Sequence, residues 1–152
     1  YRDAKIIADK ILSTEVQDFA DFSFWNYFKL PFSKSGLCKG KNLERFLVHQ
    51  LPDCDIKDLH IPLIVTATNL ETLTSVIIQE GNLIEALMAS AALPPFYAPV
   101  KFYDQYLIDG GISEPLPITQ LRQKGAEIVI AVDLSTIRSS FSMNNMLQIS
   151  YR

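Results

Sequence analysis

The stretch IPLIVTATNL, residues 61–70, is a nearly continuous run of apolar and β-branched residues. Such a run is typical of a β-strand that is covered on both faces. Three further stretches predict strands: LTSVIIQE at residues 73–80, VKFYDQYLID at residues 100–109 and EIVIAVDLS at residues 127–135. The second of these predicts a hairpin that turns at Asp104 and Gln105, and the third predicts a buried strand.

Helical patterns precede these strands and lie between them. They cover residues 4–12, Asn42–Gln50, NLIEALMASAAL at residues 82–93, and Pro117–Lys124. Asn82 is a typical N-cap, Pro94 and Pro95 end their helix because proline supplies no amide, and Gly125 suits a C-cap. Strands that are separated by helices predict an α/β fold with a mainly parallel sheet. The length of 152 residues fits a single domain over residues 1–152.

Composition and charge narrow the choice of partners. The net charge of −3 gives no basic surface for nucleic acid, and no run of eighteen apolar residues predicts a membrane span. Cys38, His49, Cys54 and His60 fall in one region, but they lack the short paired spacing of zinc ligands. The sequence therefore predicts neither a metal nor a cofactor.

Asp109 is the main candidate for chemistry. It follows the apolar residues YLI, and Gly110 and Gly111 come directly after it. In an open α/β sheet, functional groups lie in loops at the carboxyl ends of strands, and the glycines leave the carboxylate accessible. A general base suits this position, but an Asp-Gly pair is also a common turn. The local sequence leaves both interpretations open.

Other familiar active sites do not fit. No serine lies in a Gly-x-Ser-x-Gly elbow, and both His49 and His60 precede Asp109, which excludes the Ser–Asp–His order of α/β-hydrolases within this chain. Asp133 ends an apolar run as a ribose-binding acid would. A nucleotide-binding domain nevertheless needs a glycine-rich phosphate loop, and neither GxGxxG nor GxxxxGK[ST] is present.

Five segments between Gly36 and Ser135 follow one another in the order GLCKGKNLERFL, IPLIVTATNLET, EALMASAALPPFYAPV, YLIDGGISEPLPI and GAEIVIAVDLS. Together they resemble the patatin-like phospholipase family in its bacterial form. The fourth resembles the Asp-Gly-Gly/Ala motif of the family. In the second, Asn69 stands where the family often has aspartate. Each segment alone is a weak match, but their common order makes the resemblance specific.

The resemblance implies a three-layer patatin-like fold and a serine-dependent ester hydrolase of the phospholipase A or lysophospholipase type. It implies a Ser–Asp dyad in which Asp109 activates the serine, with Gly110 and Gly111 completing the motif. The implied substrate is a phospholipid or another lipid ester. The apolar stretches FSFWNYF, residues 22–28, and LPPFYAPV, residues 93–100, are candidates for acyl-chain or peripheral membrane contact.

The chain departs from the family pattern in one respect. The glycine-rich oxyanion loop and the Gly-x-Ser-x-Gly elbow are absent from its 152 residues. We therefore expect a patatin-like domain that lacks its N-terminal strands and is inactive by itself. The alternatives are a non-catalytic relative that binds lipid or a protein partner and, less well supported, a nucleotide-binding domain.

Overall fold

A computed structural model describes residues 40–133 together with Lys5, Ile6, Asp9, residues 12–15 and Cys38. Near the start of the chain, Lys5, Ile6, Asp9 and Leu12 are helical, in agreement with the helix predicted at residues 4–12. The aromatic stretch at residues 22–28 lies outside the described residues. The chain divides into two compact units, residues 1–117 and residues 118–152.

Within residues 40–117 the structure has two α-helices, each close to its predicted position. Helix α1 is Lys41–Gln50, and its buried residue is Leu43. Helix α2 is Leu83–Ser90, and the side chain of Asn82 accepts a hydrogen bond from the backbone N–H of Glu85 at 3.0 Å. This is the predicted N-cap, and it satisfies one of the amides that a helix leaves unpaired at its start. The helix ends before the cis peptide bond between Pro94 and Pro95.

A four-stranded sheet lies beside these helices. Its strands are β1 (Val65–Asn69), β2 (Ser75–Ile78), β3 (Val100–Phe102) and β4 (Gln105–Asp109), in the order β2-β1-β4-β3. In the register, Val65 lies opposite Ile78, Ala67 opposite Asp109, and Val100 opposite Leu107. Strands β1 and β4 are thus the inner pair, and each of the four predicted strands within residues 61–109 is present.

The predicted parallel direction of the sheet is wrong, because all three strand pairs are antiparallel. The connections explain this for two of the three pairs, β1–β2 and β3–β4. Only residues 70–74 join β1 to β2, and only Tyr103 and Asp104 join β3 to β4. A parallel neighbour requires a crossover of about a dozen residues or more, so these short connections permit only hairpins. The fold is still α/β in content, with α2 connecting the two hairpins.

The core lies between α2 and one face of the sheet. Its buried apolar residues are Ile56, Val65, Ala67, Ile78, Leu83, Ala86, Ala89, Phe102 and Leu107. The alanines of α2 let the helix lie close to the strands, and Ala67 and Leu107 are at most 1% exposed. This packing fixes β1 and β4, the two strands that carry the candidate site, in the middle of the unit.

A short segment after α1 is attached to the start of α2. Asp55 lies opposite Asn82 in an isolated antiparallel bridge, and one oxygen of its carboxylate accepts hydrogen bonds from the N–H groups of Lys57 and Gly81, each at 3.0 Å. The Lys57 ammonium lies 3.4 Å from the other oxygen. The hydrogen bond from the Lys57 N–H holds the pKa of the Asp55 carboxyl below its ordinary value, with smaller contributions from Gly81 and from the Lys57 charge.

This lowered pKa predicts a loss of stability in acid. A carboxyl whose pKa is lower in the folded protein stabilises it fully above its ordinary pKa of 3.8, and that contribution disappears as pH falls through the folded value. Between about pH 5 and about pH 3, the melting temperature of the wild type should therefore fall more than that of Asp55→Asn. The exposed carboxylate of Glu71 provides the control variant Glu71→Gln, for which the wild-type pH dependence is expected. Equal pH dependence in all three proteins would contradict the prediction.

The second unit contains helix α3, Ile118–Gln123, as predicted. Gly125 has a φ of 92°, and the N–H groups of Gly125 and Ala126 donate to the carbonyls of Arg122 and Leu121 at 3.0 and 3.1 Å, which is the expected glycine cap. The predicted strand that follows is wrong over residues 127–133. These residues form no strand, and Ile128, Ile130 and Val132 are 84%, 87% and 72% exposed. An apolar run becomes a strand only when another strand pairs with it, and none of the described strands does.

Candidate functional site

Asp109 is the last residue of β4, so its predicted place at the carboxyl end of a strand is confirmed. Because β4 is an inner strand, the carboxylate belongs to the middle of the sheet and is partly buried. It lies opposite Ala67, which is 0% exposed. The site is therefore carried by an inner strand of the sheet, and a strand holds a reacting group more accurately than a loop does.

The carboxylate of Asp109 also stabilises the turn that follows it. Its Oδ1 accepts a hydrogen bond from the N–H of Gly111 at 2.7 Å and caps a 3-10 helix at Gly110–Ile112. The second oxygen, Oδ2, makes no hydrogen bond within the described part of the chain. The turn interpretation of Asp109 is thus correct for one of its two carboxylate oxygens.

Both peptide groups of Asp109 are fixed by neighbouring segments. Its N–H donates to the carbonyl of Ala92, just after α2, at 3.0 Å. Its carbonyl accepts a hydrogen bond from the Thr68 hydroxyl of β1 at 2.7 Å. The structure thus brings together three of the segments on which the resemblance was based, namely IPLIVTATNL, EALMASAAL and YLIDGG.

Gly110 fits tightly against β1. A Cβ atom at this residue would lie 2.7 Å from the carbonyl carbon of Thr66 and 2.8 Å from its Oγ1, distances that real side chains do not adopt. At Gly111, the nearest atom to an added Cβ would be Oδ1 of Asp109, at 2.9 Å. The two glycines therefore have different roles: Gly110 allows the backbones to approach, and Gly111 presents its N–H to the carboxylate.

Two hydroxyl residues at the site were not singled out from the sequence. Thr68 is 0% exposed, and its Oγ1 lies 2.8 Å from Oγ of Ser113, which follows the 3-10 helix. The run IPLIVTATNL was interpreted only as a buried strand. The signal that was present is the alternation of Thr66 and Thr68, because a threonine hydroxyl buried in a strand requires a hydrogen-bond partner on the neighbouring chain.

Two other residues that the sequence analysis discussed, Asn69 and Cys38, have contacts that stabilise the fold. Asn69 accepts hydrogen bonds from the N–H groups of Glu71 and Thr72 at 2.8 and 3.0 Å and donates to Gln105, so it shapes the β1–β2 turn. Cys38 is buried and pairs with Tyr97 in an isolated bridge. Within the described ranges, no three His, Cys, Asp or Glu side chains are grouped so that they could hold a metal ion. None of the helices in those ranges has the length and hydrophobicity of a membrane span.

Comparison with known proteins places this geometry in a family. A family model described as patatin-like phospholipase matches residues 1–122, which include α1, α2, the whole sheet and Asp109. The chain belongs to the patatin-like phospholipase family. The antiparallel sheet and the Asp-Gly-Gly turn are therefore parts of a patatin-like domain, and the resemblance inferred from the sequence is confirmed.

Individual relatives agree with the family assignment. The chain is 28% identical over 123 residues to lysophospholipase NTE1 of Scheffersomyces stipitis and 26% identical over 123 residues to that of Meyerozyma guilliermondii. These matches cover 80% of this chain but only 8% and 9% of the two relatives. An NTE family protein of Mycobacterium tuberculosis is 40% identical over 80 residues, which is 53% of this chain and 22% of that protein. Relatives thus occur in yeasts and in bacteria, and the bacterial form stays a prediction.

Proposed function

We propose that this chain is part of a lipid acyl hydrolase of the phospholipase A or lysophospholipase type, and that Asp109 is the aspartate of its Ser–Asp dyad. The family assignment and the NTE1 lysophospholipases among the relatives support a lipid ester substrate. The observation that carries the proposal is the geometry of Asp109. Its backbone is hydrogen-bonded on both sides and one carboxylate oxygen is bound to Gly111, while Oδ2 has no partner in the described part of the chain.

In the proposed reaction, the Asp109 carboxylate accepts the proton of a serine hydroxyl while the serine oxygen attacks the ester carbonyl. The protonated Asp109 passes this proton to the alcohol part of the lipid as it leaves, and an acyl-serine remains. Water then attacks the acyl group and gives its proton to Asp109, which returns it to the serine oxygen as the fatty acid is released. Asp109 acts as the base in both steps, so no histidine is required.

The serine and the oxyanion hole are proposed here, because neither is part of the site that the structure describes. No Gly-x-Ser-x-Gly occurs in the 152 residues, so we assign the elbow to a preceding segment of the whole protein. By itself, the chain is expected to have no hydrolase activity.

The test is an ester-hydrolysis assay on the full-length gene product and its Asp109→Asn variant. A short-chain nitrophenyl ester reports chemistry without a membrane, and lysophosphatidylcholine reports the lipid reaction. Activity that collapses with the substitution would support the proposal. An inactive full-length protein would favour the non-catalytic alternative, a patatin-like domain that binds lipid or a protein partner.

Peripheral membrane contact is a further part of the proposal, and the segment LPPFYAPV provides its test. Leu93 is 37% exposed, whereas Phe96 is half-buried and its carbonyl accepts a hydrogen bond from the N–H of Cys38 at 2.6 Å. Leu93 is therefore the cleaner probe. In the full-length protein, Leu93→Asp should weaken binding to phosphatidylcholine liposomes about fivefold, because a leucine side chain transfers favourably from water.

The matched control is Leu73→Asp, at a leucine 63% exposed in the β1–β2 turn. Leu73 has a φ of 56°, a conformation that aspartate tolerates well, so this variant should fold normally. Its liposome binding should equal that of the wild type. Equal binding by all three proteins would exclude LPPFYAPV as a membrane contact.

A further inference from the structure

The Thr68 hydroxyl has a specific place beneath the candidate site. The residue is 0% exposed, and it is the buried polar residue of the described part of the chain. A buried hydroxyl without a partner would destabilise the folded protein. Here Oγ1 has two partners, the Asp109 carbonyl oxygen at 2.7 Å and the Ser113 Oγ at 2.8 Å.

The direction of these two hydrogen bonds follows from the donors available. A carbonyl oxygen can only accept, so the single hydroxyl proton of Thr68 must go to Asp109. Thr68 then has no proton left for Ser113, and the Ser113 hydroxyl must donate to Thr68. The result is one directed chain, from Ser113 to Thr68 to the carbonyl of Asp109.

These hydrogen bonds fix the direction of the Asp109 side chain. The peptide group before Asp109 is held by Ala92, and the peptide group after it is held by Thr68. When both peptide planes are fixed, the direction of the bond from Cα to Cβ is fixed as well. The hydrogen bond between Oδ1 and the N–H of Gly111 then sets the rotation of the side chain.

We infer that Thr68 is a positioning residue for Asp109 and that Ser113 supports it by orienting its hydroxyl. This inference rests on the proposed function of Asp109. In it, Thr68 does not touch the substrate; its hydroxyl keeps the base within reach of the serine. A displacement of about 1 Å in such a group lowers the rate by about 100-fold.

The experiment measures kcat and KM of the full-length enzyme with a nitrophenyl ester, well below the melting temperature of each variant. Thr68→Val keeps the shape of the side chain and removes the hydroxyl, so kcat should fall by about 10- to 100-fold while KM changes less than about twofold. Thr68→Ser restores the hydroxyl and should recover most of kcat. Ser113→Ala removes only the outer donor and should have a smaller effect than Thr68→Val.

Two controls separate positioning from a merely structural role. Ile78→Val in the edge strand β2 should lower stability to a similar extent without changing kcat. In the Asp109→Asn background, Thr68→Val should cause no further loss, because a residue that acts only through Asp109 has nothing left to position.

The outcomes can be assigned unambiguously. Wild-type kcat in Thr68→Val, equal loss in Thr68→Ser, or full additivity with Asp109→Asn would each overturn the positioning role. If Thr68→Val fails to fold, Ser113→Ala takes its place with the same background test, and an unchanged kcat there overturns the inference. Full activity in Asp109→Asn alone would instead reject the proposed function itself.

Discussion

Asp109→Asn in the full-length protein is expected to lower kcat for ester hydrolysis by about 10³- to 10⁴-fold, with no loss of the folded state. Asparagine has the same shape as aspartate, and its Oδ1 can still accept the hydrogen bond from the N–H of Gly111 that caps the 3-10 helix. The amide cannot take a proton from serine. The substitution therefore removes the chemistry and leaves the turn in place.

Thermal melting and kinetics should be measured on the same samples. The melting temperature of Asp109→Asn should lie within about 2 °C of the wild type, because the hydrogen bonds to Ala92 and Thr68 involve only the backbone of residue 109. Asp104→Asn, at an exposed carboxylate in the β3–β4 turn, is the control and should keep wild-type kcat. A large fall in melting temperature together with kcat would show that Asp109 is a structural turn residue.

The elements of the fold that the sequence predicted well are those determined locally. Helix α2 begins at an asparagine whose side chain caps it, and the β3–β4 hairpin turns within two residues, so neither depends on distant parts of the chain. Asp109 could be placed for the same reason, because YLI predicts a strand and Gly110 ends it. Strand direction was missed for a different reason. The apolar run of β1 suits any strand that is buried on both faces, whereas the short connection at residues 70–74, which permits only an antiparallel hairpin, was the signal that decides the direction.

The features that were missed depend on contacts between distant residues. The hydrogen bond from Thr68 to Asp109 joins positions 41 apart, and that from Thr68 to Ser113 joins positions 45 apart. Periodicity in a single segment contains no information on such pairs. The strand predicted at residues 127–135 is wrong over the described residues 127–133 for a related reason. Its apolar pattern indicates what a partner strand would cover, and no described strand pairs with it.

The two glycines after Asp109 are expected to respond very differently to alanine. In Gly110→Ala, the new Cβ would meet the backbone of Thr66 in the inner strand β1, which cannot move without disturbing the sheet. We expect a loss of about 3 kcal/mol, the upper range for overpacking, and a melting temperature about 10 °C lower. Activity should disappear as the folded fraction falls.

Gly111→Ala provides the matched comparison one residue away. Its Cβ would approach only Oδ1 of Asp109, at 2.9 Å, and residue 111 is exposed. Stability should therefore change by less than about 1 kcal/mol, and kcat should fall only a few fold as the carboxylate shifts to make room. The resemblance to an Asp-Gly-Gly/Ala motif agrees with tolerance at this position. Gly125→Ala, where φ is 92° and nothing lies within 4 Å of the added Cβ, measures backbone strain alone and should cost about 1 kcal/mol.

The ranking of these three variants tests the packing of the site independently of catalysis. If the close approach of Gly110 to β1 holds Asp109 in place, Gly110→Ala must be the most destabilising, although its backbone conformation is not a left-handed one. Equal melting temperatures for Gly110→Ala and Gly111→Ala would mean that the turn can separate from β1. The carbonyl of Asp109 would then no longer be held by Thr68, and the carboxylate would lack the fixed direction that a base in a two-residue dyad requires.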